Sequence, residues 1–343
     1  MSSNSNRAIT WWLLICLGLI FAMVILGGVT RLTGSGLSMV NWHPIHGAIP
    51  PLNSEQWQQE FNNYQQSPEY QKINRDMSVA DFKSIFWFEY SHRMLGRLIG
   101  LVFLLPFLYF WWRKKIIPGL TPKLIIMFCL GGLQGLLGWY MVKSGLVNNP
   151  HVSQYRLTAH LLSAILIYGF ILWTLLDLNQ HRIYQAINQS TVARWRTSSL
   201  ILIGLLLLTI VSGGFVAGLK AGLIFNTFPL MGGKWIPEGI GALTPWHLNL
   251  FENMVTVQFS HRLLAITTGI LLLAWYIKGR GHFEDRQIKS SFKLVGMLVI
   301  IQLLLGISTL LMHVPVSLAA MHQAGALLLF SVMLMNVHVL SRQ

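Results

Sequence analysis

Two short stretches hold the residues best suited to chemistry: Glu89-Tyr90-Ser91-His92-Arg93 and Gln258-Phe259-Ser260-His261-Arg262. Each opens a long apolar run. One hydrophobic segment further on, each is followed by another helix with an early histidine. These are His160, in Leu157-Thr158-Ala159-His160, and His322, in Ala319-Ala320-Met321-His322. Ionisable groups inside apolar helices are costly and usually functional, and four imidazoles at matching places in two halves point to two bis-imidazole sites of one design. The zinc spacings HxxxH and CxxC are missing, and no soft thiolate ligands accompany these histidines. A planar macrocycle clamped between two parallel helices needs this arrangement. The copies also differ. Only the first carries a carboxylate three residues before its histidine, and residues three apart share a helix face. Glu89 therefore looks at whatever His92 binds, whereas Gln258 has similar size but cannot titrate.

The elements that position these residues follow from composition. The chain is 53% hydrophobic and 10% charged, against about 25% charged in an ordinary soluble domain. Eight runs approach the roughly 20 residues that cross a bilayer, at about 9–30, 85–112, 121–143, 154–178, 195–219, 252–277, 290–312 and 315–339. The first run is long enough to span and lacks a small-residue cleavage site, so it reads as a helix rather than a cleaved signal; the start is not that of an organelle transit peptide. The expected fold class is an all-α integral membrane protein, its eight transmembrane helices forming two pseudo-symmetric four-helix bundles. The expected halves are 1–180 and 181–343. The matches supporting a parallel repeat are Gly27-Gly28 with Gly213-Gly214, Asn41-Trp42-His43-Pro44 with Asn226-Thr227-Phe228-Pro229, and Gln134 and Gly138 with Gln302 and Gly306.

The net charge of +14 raises nucleic acid as a partner, but its distribution excludes that. With the N-terminus in the cytoplasm, fourteen basic residues fall inside: Arg7, Arg113, Lys114, Lys115, Lys123, Arg182, Arg194, Arg196, Lys278, Arg280, Arg286, Lys289, Lys293 and Arg342. Only Asp177, Glu284 and Asp285 oppose them there. This is the positive-inside pattern; the charge reports topology, with both termini cytoplasmic, the lipid bilayer as partner and a bacterial inner membrane as the address. In that topology the four histidines lie within about 15 Å of the outer boundary. His92 pairs with His160, and His261 with His322, at shared depth.

The long first outer loop, about 32–84, begins with Thr33-Gly34-Ser35-Gly36, whose glycines allow tight turns. Within it Trp57, Phe61 and Tyr64 form one apolar stripe, suited to lying on the membrane or capping the bundle. Ser78-Val79-Ala80-Asp81 reads as an N-cap that starts the second spanning helix near Val79. Cys16 and Cys129 read as small buried residues. His181, His282 and His338 read as solvated cytoplasmic surface. His43, His46, His151, His247 and His313 read as loop or helix-end residues, with His313 the best placed for an accessory role. Arg93 and Arg262 either pair with carboxylates of the bound macrocycle or snorkel to headgroups.

With these residues in view, the sequence resembles the heme A synthase family. Gly27-Gly28-Val29-Thr30-Arg31-Leu32-Thr33-Gly34-Ser35-Gly36-Leu37 and the Glu-x-x-His-Arg stretch carry the resemblance together, and it extends over all eight helices. It implies that His261 and His322 ligate a resident heme b, while His92 and His160 bind the substrate, heme O, beside Glu89 as catalytic residue. Arg93 and Arg262 would then contact heme propionates. The implied reaction is oxidation of the C8 methyl group of heme O to a formyl group, by successive hydroxylations to a gem-diol that loses water. One branch of the family has a cysteine pair in the first outer loop; this chain has none there and is similar to the other branch, which excludes a mechanism needing those thiols. A heme O synthase and an electron donor that the sequence does not identify are the implied partners, and a homo-oligomer stays open. The competing reading is a di-heme b-type electron-transfer cytochrome, which expects one heme near each face. A transporter, the third, expects helices broken at mid-membrane.

Overall fold

The computed structural model describes residues 3–40, 46–147, 150–179, 189–283 and 286–341. Expectations for residues 1–2, Asn41-Trp42-His43-Pro44, His181, Arg182, Glu284, Asp285 and Arg342 lie outside the described residues, as do the side chains of His46 and Arg286. The described residues form ten α-helices and no named strand: α1 (Ser3–Leu32), α2 (Ser54–Gln65), α3 (Pro68–Lys72), α4 (Val79–Trp112), α5 (Leu120–Lys143), α6 (Gln154–Leu178), α7 (Gln189–Gly218), α8 (Met254–Gly279), α9 (Arg286–Leu311) and α10 (Val316–Leu340). All except α2 and α3 include stretches long and apolar enough to cross a membrane, and a helix is the element that satisfies its own backbone in hydrocarbon. The chain is a multi-pass, all-α membrane protein.

Polar caps decide where the histidine-bearing helices start. The N-cap of α4 is Ser78, in a reciprocal box with Asp81: Asp81 N–H donates to Ser78 Oγ at 3.2 Å, and Ser78 N–H to Asp81 Oδ2 at 3.2 Å. The helix therefore begins at Val79, ahead of the apolar run, as its N-cap signal predicts. At the head of α8, the Asn253 side chain accepts from Val255 and Thr256 N–H.

The chain divides into two compact units, Met1–Ile167 and Tyr168–Gln343, with the division inside α6. In the first unit α4 packs on α1 and α5, and Trp12 Nε1 donates to Val102 O at 2.8 Å. The stripe on α2 caps the unit rather than lying on the membrane: Trp57, Phe61 and Tyr64 are buried against Phe82 and Phe86 of α4. Ring centroids lie 5.0 Å apart for Trp57–Phe86 and 5.1 Å for Tyr64–Phe82. Each such aromatic contributes roughly 1.5–3 kcal/mol by burial. In the second unit α7, α8, α9 and α10 pack in sequence, and α10 returns to α7, closing a ring of four helices.

Two expectations need correction. Cys16 is buried, but Cys129 is exposed, because α5 buries very little of its surface against the rest of the chain. His338 is buried rather than solvated. Its Nε2 lies 3.0 Å from Asp177 Oδ1, and Trp173 packs edge-on against its ring. A carboxylate on α6 satisfies the imidazole that the end of α10 turns inward.

Candidate functional site

Each of the four histidines leans against a glycine on a neighbouring helix. A Cβ on Gly27 of α1 would lie 3.2 Å from His92 Nε2 of α4, and one on Gly138 of α5 would lie 3.0 Å from His160 Cε1 of α6. In the second unit, Gly213 of α7 and Gly306 of α9 stand in the same relation to His261 of α8 and His322 of α10, at 3.1 and 2.9 Å. A methyl group at any of these places would press on the ring. Absence of a side chain is what lets the imidazole sit against the helix backbone. Within each unit the two imidazoles are close enough to interact electrostatically, His92 with His160 and His261 with His322. All four histidines are half-buried.

Three of the rings are anchored through Nδ1. Gln134 Nε2 lies 3.1 Å from His160 Nδ1 and donates to His160 O at 2.8 Å. Gln302 repeats this with His322, at 3.1 and 2.9 Å. Ser212 Oγ lies 2.8 Å from His261 Nδ1. None of the four forms a hydrogen bond through Nε2 to the described residues. At His261 the Ser212 hydroxyl is spent on Thr209 O, so its oxygen accepts from Nδ1–H and Nε2 is left in the form that ligates a metal. Among the described residues no group of three or more His, Cys, Asp or Glu forms a metal cluster, so the donor set is imidazole pairs. Two imidazoles from two helices are a donor set that a heme iron would accept.

Glu89 is buried, 3% exposed, and its carboxylate accepts from four donors. Ser38 Oγ–H and Met39 N–H each reach Oε2 at 2.8 Å. Arg93 reaches Oε1 through Nε at 3.1 Å and Nη2 at 2.5 Å. Arg93 Nη2 also donates to Met39 O at 2.9 Å. The second unit keeps the tether and changes its polarity: Arg262 donates to Phe225 O and Thr227 O, both at 2.7 Å, and Gln258 Nε2 donates to Phe225 O at 3.0 Å. Among the described residues, Gln258 Oε1 and Arg262 Nε are buried without partners.

The structure thus brings together, within each unit, the histidines and the Glu89–Arg93 or Gln258–Arg262 pair that the motifs single out. Glu89 pairs with Arg93, an arrangement one turn of helix makes natural. His313 is exposed at the end of α9, with a positive φ of 62°, and joins neither pair. Sequence reasoning noted the repeated glycines and glutamines without reading them as seats and anchors. The signal was present: Gln134 and Gly138, like Gln302 and Gly306, are four apart and face one way. Ser38, Met39 and Ser212 carried no such signal, since their contacts are made only by folding.

Comparison with known proteins agrees in extent. A family model described as cytochrome oxidase assembly protein, COX15-CtaA, matches residues 10–334. The chain is 51% identical over 339 residues to a heme A synthase of Nitrosospira multiformis, covering 98% of this chain and 95% of the relative. It is 48% identical to a heme A synthase of Paramagnetospirillum magneticum, over 100% of this chain and 96% of the relative. To the human heme A synthase COX15 it is 46% identical, over 96% of this chain and 82% of that protein. Four imidazoles on four glycine seats, a family match across all eight spans and relatives of nearly equal length lead to one conclusion: the chain belongs to the COX15-CtaA family of cytochrome oxidase assembly proteins.

Proposed function

We propose that this protein is a heme A synthase, an oxidoreductase that converts the C8 methyl group of heme O into the formyl group of heme A. The relatives' names support a heme A synthase; the observation that carries the site is the repeated imidazole pair with a buried carboxylate in only one copy. In this reading His92 and His160 hold the substrate, heme O, beside Glu89, and His261 and His322 hold a resident heme b. When bound, that heme supplies the one-electron redox chemistry that side chains lack. The residues do the rest. Gln134 and Ser212 orient rings, and the first outer loop with α2 and α3 covers the first unit from the outer side. Held by four donors, the Glu89 carboxylate is the acidic group placed to act on a cationic stage of methyl oxidation. Arg262 keeps a buried Nε–H without a partner, which suits a heme propionate, whereas the Arg93 Nε and Nη2 groups bond Glu89 and Met39.

We place the chain in a bacterial cytoplasmic membrane with both termini inside, upstream of terminal oxidase assembly. A heme O synthase would supply the substrate, and a separate donor the electrons. Expression of the chain alongside a heme O source, followed by chromatography of the extracted pigments, tests the reaction. Heme A should appear only when both are present. A bis-histidine absorbance with heme O left unchanged would favour the electron-transfer cytochrome instead. Topology is checked separately, with cysteines placed at Lys72 and Lys114. An impermeant thiol reagent should reach the first from outside intact cells and not the second.

A further inference from the structure

We propose that Ser38 is a positioning residue for Glu89: its hydroxyl fixes the carboxylate at the first site. The proposal rests on the reading of the first half as the substrate site. Ser38 lies just past the end of α1, where the chain turns back through Gly34 at a φ of 67° and Ser35 N–H donates to Thr30 O at 2.9 Å. The residue is 1% exposed, and its Oγ–H donates to Glu89 Oε2 at 2.8 Å. Met39 N–H reaches the same oxygen. Oε2 is thereby pinned from the loop while Arg93 pins Oε1 from the helix, and the carboxyl plane has no freedom to rotate.

The second half shows what the hydroxyl is not for. The same turn recurs there, with Lys220 at a φ of 55° in the place of Gly34. Ile224 stands where Ser38 stands, and Phe225 where Met39 stands. Arg262 binds Phe225 O as Arg93 binds Met39 O. The loop is therefore held to the histidine helix by arginine in both halves, without need of a hydroxyl. The nearest acceptor of the Ser38 hydroxyl is the carboxylate, at 2.8 Å, with Ile85 O farther off at 3.4 Å. Where Glu89 becomes Gln258, the amide turns round to donate to the backbone carbonyl, and serine gives way to an apolar side chain. Hydroxyl and carboxylate occur together and are lost together, which is the pattern of a donor serving an acceptor rather than of a residue serving the fold.

The test uses the full-length protein expressed with a heme O source. Ser38→Ala should lower heme A formation about tenfold, the usual scale for losing a hydrogen bond to a charged group, with heme O or a partly oxidised product accumulating and heme b absorbance unchanged. Ser38→Thr, which keeps the hydroxyl, should restore heme A. In a Glu89→Gln background, Ser38→Ala should cause no further loss. Wild-type heme A from Ser38→Ala, with Glu89→Gln impaired, would overturn the role of Ser38 and leave the site assignment standing. Wild-type heme A from Glu89→Gln would instead overturn the assignment beneath it. Loss of heme b from Ser38→Ala, or a further decline in the double variant, would mark a structural residue and also sink the proposal.

Discussion

The two histidine pairs share their backbone and differ in their polar neighbours. Both use a glycine seat under each ring and an arginine that grips the following loop. The differences cluster around the partners of the rings. In the repeat Glu89 corresponds to Gln258, Ser38 to Ile224, and Ser163 to Gly325. Ser163 donates to Gln134 Oε1 at 2.5 Å. In the second half, the space above Gly325 is taken by the Gln302 amide, whose Oε1 is buried without a partner. The lesson is physical: a duplicated scaffold can keep its geometry in helix packing and vary its electrostatics through a few side chains. The first half pairs its arginine with a carboxylate whose two oxygens are both hydrogen-bonded. The second keeps the arginine without a carboxylate, and among the described residues leaves Gln258 Oε1 and Gln302 Oε1 unpaired at a cost of about 1–3 kcal/mol each.

This comparison can be broken most severely at the second pair. His261→Ala or His322→Ala should abolish the bis-histidine absorbance of heme b in purified protein, with the whole signal lost rather than reduced. Next in size, Glu89→Gln gives the first half the side chain of the second. It should leave heme b in place and cut heme A yield by about a hundredfold, the lower range for losing a positioned charged group in catalysis. Chromatography of the pigments reads both.

How much of this was legible beforehand differs by level. The eight spans, the cap at Ser78 and the apolar stripe of α2 follow from local patterns, because hydrocarbon admits helices and little else. The histidines and Glu89 were legible because an ionisable residue in an apolar run stands out. Ser38 was not, because a serine in a loop has no periodicity and gains its meaning from a helix fifty residues on. The inward turn of His338 was hidden for the same reason. Its partner, Asp177, read as one of the few acidic charges on the cytoplasmic side.

Two finer tests sharpen the contrast between the halves. Gln258→Glu is the reverse exchange, and it should not create a second reactive site. The new carboxylate would face Phe225 O with Ile224 in place of a hydroxyl donor. A lower melting temperature is expected, reflecting about 1–3 kcal/mol for a buried group set against the wrong partner. Smallest is the effect of one methyl group under a ring. Gly306→Ala would place a Cβ 2.9 Å from His322 Cε1 and should cost about 1–3 kcal/mol by overpacking. Gly204→Ala, with nothing within 4 Å, is the matched control and should be neutral or slightly stabilising by the ordinary preference of helices for alanine. Equal melting temperatures for the two would remove the seat from the description.

The glycine seats have a consequence for electron transfer. A ring that rests on backbone along one edge, and in three cases is bonded at Nδ1, has little room to tilt when the charge on a metal beside it changes. Ligands that do not move between oxidation states contribute little inner-sphere reorganisation, and that keeps the barrier to passing an electron low. The same four missing side chains that admit the rings would therefore also hold a metal bound between them stiffly.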